Sequence, residues 1–468
     1  MLAIPGIIAL VVFIYARPQE FFERLRVVPL LYVFFGLAAF GCLLDLRVGN
    51  TRLRATPQLP WVGLFFCWAS LTVLIRAPRA APEHILGLSI CVALFLLIAH
   101  GVQSFRALHL VAGTVLGMVL FVCGVGAHQG FAPTGCVLID ESNPADTATG
   151  KPDGRPCDTP RSCYFGDAEP GADYLCEHIG LLGTTSVGRG RVRYRGVLQD
   201  PNELALAGGV GLPLAFAFGQ GKKRTFRRSA LSVLALALVL MCAVLTGSRG
   251  GQLVCLAVFA TYFGKRAGLG GVLLGGVLAM PLLLLGGRSG EEAVSSTLER
   301  IECWAEAISI WRQHPGLGVG LGQFVEYHYM TAHNSYLLAL AELGLPGMLL
   351  FIIILYLSAK IPIAVLQRIS SAGGEAENIR VGAPLASAWA MALLAAFAGL
   401  AIGIFFLSFT YHYVLWIYLG LSGALYSAVR RHDPSFRVQL KQRDFALIGG
   451  IALSIIVFVF FYTRWKVG

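Results

Sequence analysis

Long, unbroken apolar runs constrain the fold of this chain more than any motif in it. A run of about 20 apolar residues is long enough to cross a bilayer as a helix. Inside the hydrocarbon every backbone N–H and C=O must bond within the protein, which leaves helices and closed barrels. Barrel strands read as short segments of alternating polarity, whereas the runs here are continuous. Candidate spans lie at 2–16, 27–46, 59–76, 84–100, 107–127, 202–219, 229–247, 250–264, 268–287, 335–359, 384–409, 411–429 and 445–462. The pattern predicts an all-α fold, a polytopic transmembrane helical bundle of about 12–14 spans. Of 468 residues, 56% are hydrophobic and 13% charged. Most of the length must therefore lie in lipid, and a soluble globular domain is excluded. The first run is short, but it lacks the basic leader and small-residue cleavage site of a signal peptide, so it counts as a span.

The chain divides into N-terminal spans (1–127), a large loop (128–201), central spans (202–287), a second large loop (288–334) and C-terminal spans (335–468). Basic loops face the cytoplasm. GKKRTFRR (221–228), Arg52 with Arg54, Lys265 with Arg266, and RRHDPSFRVQLKQR (430–443) mark that side. Both large loops then fall outside, with the N-terminus inside and, for an odd span count, the C-terminus outside. The net charge of +11 is spread over the inner loops. Membrane insertion explains it, so it does not point to nucleic acid.

Cys42, Cys67, Cys91, Cys123, Cys242 and Cys255 lie within spans and read as packing residues. Cys136, Cys157, Cys163 and Cys176 cluster in the first outer loop. Extracytoplasmic cysteines in such a group read as two disulfides, with three pairings open. A zinc site near His128 and His178 is the alternative, but no C-x-x-C pair supports it. Cys303 is left over as a partly buried thiol. The stretch 140–170 is rich in Pro, Gly, Asp and Thr and reads as structureless without cross-links. Beyond it, Arg189, Arg191, Arg193 and Arg195 alternate in GRGRVRYRG. On an extended chain they share one face, a row of guanidiniums for anionic groups.

In the second loop, Ser296 and Glu299 match a capping box. Ile301, Trp304, Ile308 and Trp311 follow at helical spacing, and His314-Pro315-Gly316 ends the helix. A short helix with a Trp-rich stripe is predicted to lie along the interface and pack on the spans below. The run GLGVGLG (316–322) lacks the preceding strand and the lysine of a phosphate cradle. It reads as a segment for close packing or mobility.

Several polar residues stand out against this background. Arg249 sits in a very short outer turn, LTGSRGGQLV. A charge at that depth is costly and points to function, the alternative being a snorkelling residue. Arg300 lies one position off the apolar stripe and can reach past the helix edge, with a salt bridge to Glu299 or Glu306 as its alternative. A planar guanidinium suits a diphosphate, because it donates two parallel hydrogen bonds. His333 is the candidate base, since its side chain titrates near neutrality. Its neighbours are Asn334, Tyr327 and Tyr329, and His328 ranks second. Asp200-Pro201-Asn202 begins a helix; capping explains Asp200 and leaves Asn202 less explained. Arg195, Asn202 and Asn334 are the candidate substrate-binding residues.

DPNELA (200–205), LTGSRGG (245–251), R-x3-W (300–304), HPGLGVGLGQF (314–324) and HNSYLLALAELGLPG (333–347) together resemble the O-antigen ligase and polymerase superfamily. The opening YARPQEFFERLRVVPL (15–30) is similar to that of exopolysaccharide-type members. The resemblance covers about 195–350 and implies a GT-C-like membrane glycosyltransferase of the bacterial inner membrane, active on the periplasmic side. It implies a glycan donor on undecaprenyl diphosphate, an acceptor hydroxyl, inversion, and no metal or other cofactor. Arg249 and Arg300 match arginines that bind the leaving diphosphate, and His333 matches the histidine that activates the acceptor. Metal-dependent relatives carry acidic residues on an early outer loop, where Glu20 and Glu23 lie here. One implied activity is polymerisation of exopolysaccharide or O-antigen repeats, with flippase and chain-length regulator proteins as partners. The other is ligation of glycan to lipid A core or to protein. A transporter is the reading from a different class, and the chain lacks the internal repeat and mid-span charges expected of one.

Overall fold

The computed structural model describes residues 1–52, 54–139, 150–188, 190–220, 226–285, 291–371 and 377–467. Arg189 and most of the basic run at 221–228 lie outside the described residues. Five helices come first: α1 (Ala3–Ala16), α2 (Leu30–Arg47), α3 (Leu59–Arg76), α4 (Ala81–Gly101) and α5 (Phe105–Phe131). A small sheet follows, formed by β1 (Thr134–Ile139), β2 (Lys151–Pro156) and β3 (Asp173–His178). The chain then returns to helices: α6 (Pro201–Gly219), α7 (Phe226–Leu245), α8 (Arg249–Leu285), α9 (Glu291–Gln313), α10 (Ser335–Ser371), α11 (Glu377–Gly403), α12 (Tyr413–His432) and α13 (Gln442–Val467). Ten of the described helices are long and apolar enough to cross a membrane. The protein is an all-α, multi-pass membrane bundle carrying one small sheet.

Two helices are interrupted, in different ways. In α8 the backbone leaves the helix at Ala267 and Gly268. A Cβ on Gly271 would fall 1.9 Å from the Phe263 carbonyl oxygen, and one on Gly275 would fall 3.0 Å from Phe259. The two legs therefore run antiparallel, as the separate apolar runs at 250–264 and 268–287 predict. In α10 the break is at Gly344, with φ 68° and ψ −175°, and it frees backbone groups that lipid cannot satisfy. The Gly-rich run supplies the partners. Val319 N donates to Ala341 O at 3.0 Å, Gly320 N to Glu342 O at 2.8 Å, and Leu345 N to Pro315 O at 3.0 Å. Trp68 Nε1 donates to Leu343 O at 2.8 Å. A Cβ on Gly318 would lie 2.4 Å from the Glu342 carbonyl, so this approach requires glycine.

The core helix is α12, buried continuously from Val414 to Val429. It meets protein rather than lipid, so it carries hydroxyls that bind neighbouring backbones. Ser422 Oγ donates to Ser358 O at 2.7 Å, Tyr418 OH to Val210 O at 2.9 Å, and Ser427 Oγ to Ala99 O at 3.1 Å. Interhelical bonds of this kind fix helix pairs where no hydrophobic force separates protein from lipid. The segment between α11 and α12 bonds to Ser335: its Oγ donates to Leu407 O at 2.6 Å and accepts from Phe409 N at 2.7 Å. These bonds end α11 at Gly403, short of the apolar run that extends to 409.

The sheet has the order β2-β1-β3 and is antiparallel throughout. Disulfides join Cys136 to Cys163 and Cys157 to Cys176, which selects one of the three pairings. The expected two disulfides are present and use all four sulfurs, which leaves no thiolate for the zinc alternative. Part of the stretch expected to lack structure is ordered, because β2 pairs with β1 and a 3-10 turn covers Pro160–Tyr164; residues 140–149 lie outside the described ones. The capping box is a correction. Helix α9 starts at Glu291, so Ser296 and Glu299 lie inside it. The stripe packs as predicted: Ile301, Trp304 and Ile308 are buried, and the Trp304 ring lies 5.3 Å from Phe405 and 6.2 Å from Tyr462.

Among the described residues, Arg52, Arg54, Arg430 and Arg431 gather at one end of the bundle. There Lys360 pairs with Asp444 at 2.5 Å and Arg368 with Asp433 at 3.0 Å. The sheet, α9 and the Gly-rich run occupy the other end.

Candidate functional site

Three helices begin beside one another at the sheet end: α6 at Pro201, α8 at Arg249 and α10 at Ser335. Each helix start carries partial positive charge and unpaired N–H groups. Each is also fixed by its own side-chain bonds. Asp200 caps α6, accepting from Asn202 N at 2.7 Å, and Glu203 completes the capping box. Asn334 caps α10, its Oδ1 accepting from Tyr336 N at 3.0 Å and Leu337 N at 3.1 Å. Ser248 precedes α8, accepting from Gly251 N at 3.0 Å and donating to Asn202 Oδ1 at 2.7 Å. Asn202 Nδ2 donates in turn to Asp200 Oδ1 at 2.8 Å. The chain Ser248–Asn202–Asp200 thus ties α8 to α6. The two helices touch closely, since a Cβ on Gly251 would lie 2.3 Å from that of Ala205.

A cavity of about 520 Å³ opens at this junction. One wall is the segment carrying Arg191 and Arg193, and the facing wall is α9 with Ser295, Ser296, Glu299 and Arg300. Asp200, Asn202 and His333 line it between them. Arg300 and Asn202 also border a small hollow with Ser248, Gly250 and Gly251.

The guanidinium wall is anchored by main-chain oxygens. Arg191 Nε donates to Thr246 O at 2.9 Å. Arg193 Nε donates to Thr185 O at 3.0 Å, and its backbone N–H donates to Gln129 Oε1 at 2.9 Å. Next to Thr185, Ser186 Oγ bonds the Glu177 carboxylate, and Ser186 N donates to His178 O at 3.0 Å. The sheet therefore holds the segment that holds Arg193. Burial pulls the Arg193 guanidinium down to about 10, with the Glu177 and Asp200 charges opposing; it remains a cation at neutral pH.

His333 has φ 47°, a left-handed backbone uncommon outside glycine. Its imidazole pKa lies below the ordinary value, first because it is buried and second because Arg300 is near. Asp200 and Glu299 pull the other way. A neutral imidazole able to accept a proton is the result.

Of the six candidates, Arg300, His333 and Asn202 share the cavity. Arg249 is exposed on the first turn of α8, between two residues that border the hollow beside Arg300, and is not itself on the cavity lining. Arg195 lies outside the lining. Its guanidinium sits 5.3 Å from the Phe21 ring and bonds the Gly183 and Glu20 carbonyls. Asn334 is wholly buried and serves as a cap. His328, the second-ranked base, is outside the lining: its Nδ1 lies 3.8 Å from the buried Cys303 sulfur and 3.2 Å from Met330 O. Glu20 pairs with Arg17 at 3.8 Å, and the Glu23 side chain is outside the described ones. Arg191 and Arg193 were legible only as members of the alternating row, and Glu299 as a presumed cap and as a salt-bridge partner for Arg300.

Residues 206–352 match a family described as O-antigen ligase. No curated protein matches the chain. The matched segment contains Arg249, Arg300 and His333; Arg191, Arg193 and Asn202 precede it.

Proposed function

We propose, on the premise that residues 206–352 belong to the O-antigen ligase family, that this membrane enzyme transfers glycan from undecaprenyl diphosphate and polymerises repeat units. The observation that carries the reading is the single cavity containing Arg191, Arg193, Arg300 and a neutral His333 at converging helix starts. The basic loops at the far end support a periplasmic cavity, by the positive-inside rule.

The acceptor hydroxyl attacks the anomeric carbon of the donor sugar from the face opposite the diphosphate, which gives inversion. As the new C–O bond forms, the bond to the diphosphate oxygen breaks and its electron pair leaves with that oxygen. Arg300 and Arg249 bind the departing diphosphate, with Arg191 and Arg193 supplying further fixed positive charge. Preorganised donors in a poorly solvated site are worth several kcal/mol of barrier, about 2.7–4 kcal/mol for one oxyanion donor. The hydroxyl proton passes to His333. Asn202 holds the α6–α8 junction in place and faces the sugar. This scheme assigns charge stabilisation to guanidiniums rather than to a metal.

The opening segment similar to exopolysaccharide-type members favours polymerase over ligase. Purified protein supplied with lipid-linked repeats tests this directly. Longer lipid-linked chains are expected. Transfer to an added lipid A core or protein acceptor instead would make the enzyme a ligase, and neither product would overturn glycosyl transfer.

A further inference from the structure

A second cavity lies far from the first, on the outer face of α1 between α2 and α5. It has a volume of about 940 Å³. From α1 it is lined by Ile4, Pro5, Ile8, Ala9, Val12 and Phe13. These positions recur at i, i+1, i+4, i+5, i+8 and i+9, which is one continuous helical face. At 1.5 Å per residue they extend about 14 Å, roughly half the 30 Å hydrocarbon core. The lining continues to Pro18 and Leu30, so the groove follows α1 over its whole 14 residues, about 21 Å, which is room for one extended acyl chain. The Phe13–Phe34 pair, with rings 5.7 Å apart, lies toward its far end, close to where α1 stops and α2 starts.

The mouth of the groove has a different chemistry. It lies at the start of α5, at the basic end of the bundle opposite the glycosyl-transfer cavity. Ser104 and Arg106 are the polar and charged side chains among its lining residues, and no acidic residue lines it. Arg106 is exposed and sits in the first turn of α5. Ser104 is the cap of that helix, its Oγ accepting from Ala107 N at 3.2 Å. The Met1 amine, just before α1, is paired with the buried Asp45 at 3.7 Å. An apolar trough therefore opens on a guanidinium and a helix start.

We propose that this groove binds one acyl chain of an anionic phospholipid from the leaflet opposite the glycosyl-transfer cavity, with the headgroup phosphate on Arg106. Arginine donates to a phosphate through two parallel N–H groups, and the helix start favours the same charge. The polarity of the groove separates this occupant from the undecaprenyl donor, whose diphosphate would have to sit at the other end. There the lining is Pro18, Leu30 and Phe34, which offer nothing to an anion.

The test uses the full chain in detergent with an equimolar mixture of phosphatidylglycerol and phosphatidylcholine, read by native mass spectrometry. Wild-type protein should retain phosphatidylglycerol preferentially, by about fivefold, the scale of one basic side chain at an anionic surface. Arg106→Ala should abolish the preference, and Arg106→Lys should keep part of it. Ala9→Trp fills the trough and should reduce retention of phosphatidylglycerol with Arg106 intact. Monodisperse elution of each variant shows that it is folded. Equal retention of the two lipids by wild type, or an unchanged preference in Arg106→Ala, would overturn the site. Full retention in Ala9→Trp would overturn the chain-in-groove placement, and displacement of phosphatidylglycerol by equimolar undecaprenyl phosphate would overturn the occupant. None of these readouts involves glycosyl transfer, so the outcome does not depend on the function proposed above.

Discussion

The two walls of the candidate cavity are built differently. Arg191 and Arg193 sit on an irregular segment and are fastened to main-chain oxygens of Thr246 and Thr185. That segment hangs from a disulfide-bonded sheet through Ser186 and Glu177. Arg300 and His333 belong to the helical wall and lie inside the region matched to the O-antigen ligase family. The first wall invests its polar groups in holding still. The second places a cation near a buried imidazole whose pKa it helps to lower. A fixed field on one side and coupled chemistry on the other should respond differently to substitution.

The largest effect is expected at Arg300. Arg300→Ala should lower chain extension from lipid-linked repeats by about 10²–10³-fold, the scale of removing one oxyanion donor, while the protein stays inserted. Arg193→Ala in the same assay should cost less, and an equal loss would erase the contrast between the walls. His333→Asn should lower the rate on the order of 10²-fold, at the low end for a general base. Asparagine is the better probe here, because it tolerates the left-handed backbone at this position. Alanine would add about 1–2 kcal/mol of backbone strain and confuse rate with folding. His328→Ala should leave the rate unchanged; if it is the damaging variant, the base has been misassigned.

Cys157→Ser with Cys176→Ser should cost on the order of tenfold, by loosening the charged hydrogen bonds of Arg193. No change would show that the sheet does not position that wall. The smallest effect is a shift in pH dependence. Transfer needs neutral His333, so the rate falls as pH drops through the histidine pKa. Burial and Arg300 both lower that pKa, which puts the acid limb below the usual value of about 6.5. Arg300→Gln removes the larger of the two electrostatic causes that lower it, the other being His328, and the limb of its residual rate should move to higher pH. A limb that stays in place would uncouple Arg300 from His333.

Much of the fold was legible because membrane helices advertise themselves by length and hydropathy. The α8 hairpin was read as two runs, since KRAG interrupts them. The α10 break was not, because LGLPG is as apolar as its flanks and the partners that permit it come from 315–320 and Trp68. At the site, Arg300, His333 and Asn202 were singled out as polar groups at helix edges. Asn334 looked like their companion, yet its position just before SYLL is that of an N-cap. Arg195 was grouped with its neighbours by alternation. A turn at Gly196–Leu198 ends that regularity and sends its side chain toward Phe21. Local patterns identify chemistry that can act; they do not reveal which groups tertiary contacts have already occupied.

The splint that bridges the gap in α10 makes 314–347 an indivisible cassette. The ten residues before Gly344 begin with the cap beside His333, and the carbonyls of the last three rest on donors from the glycine run and Trp68. A chimera that exchanges α10 with a relative's while keeping the host's 314–324 would misalign the histidine without altering a single group in contact with substrate. Swapping experiments that seek acceptor specificity should therefore cut upstream of His314.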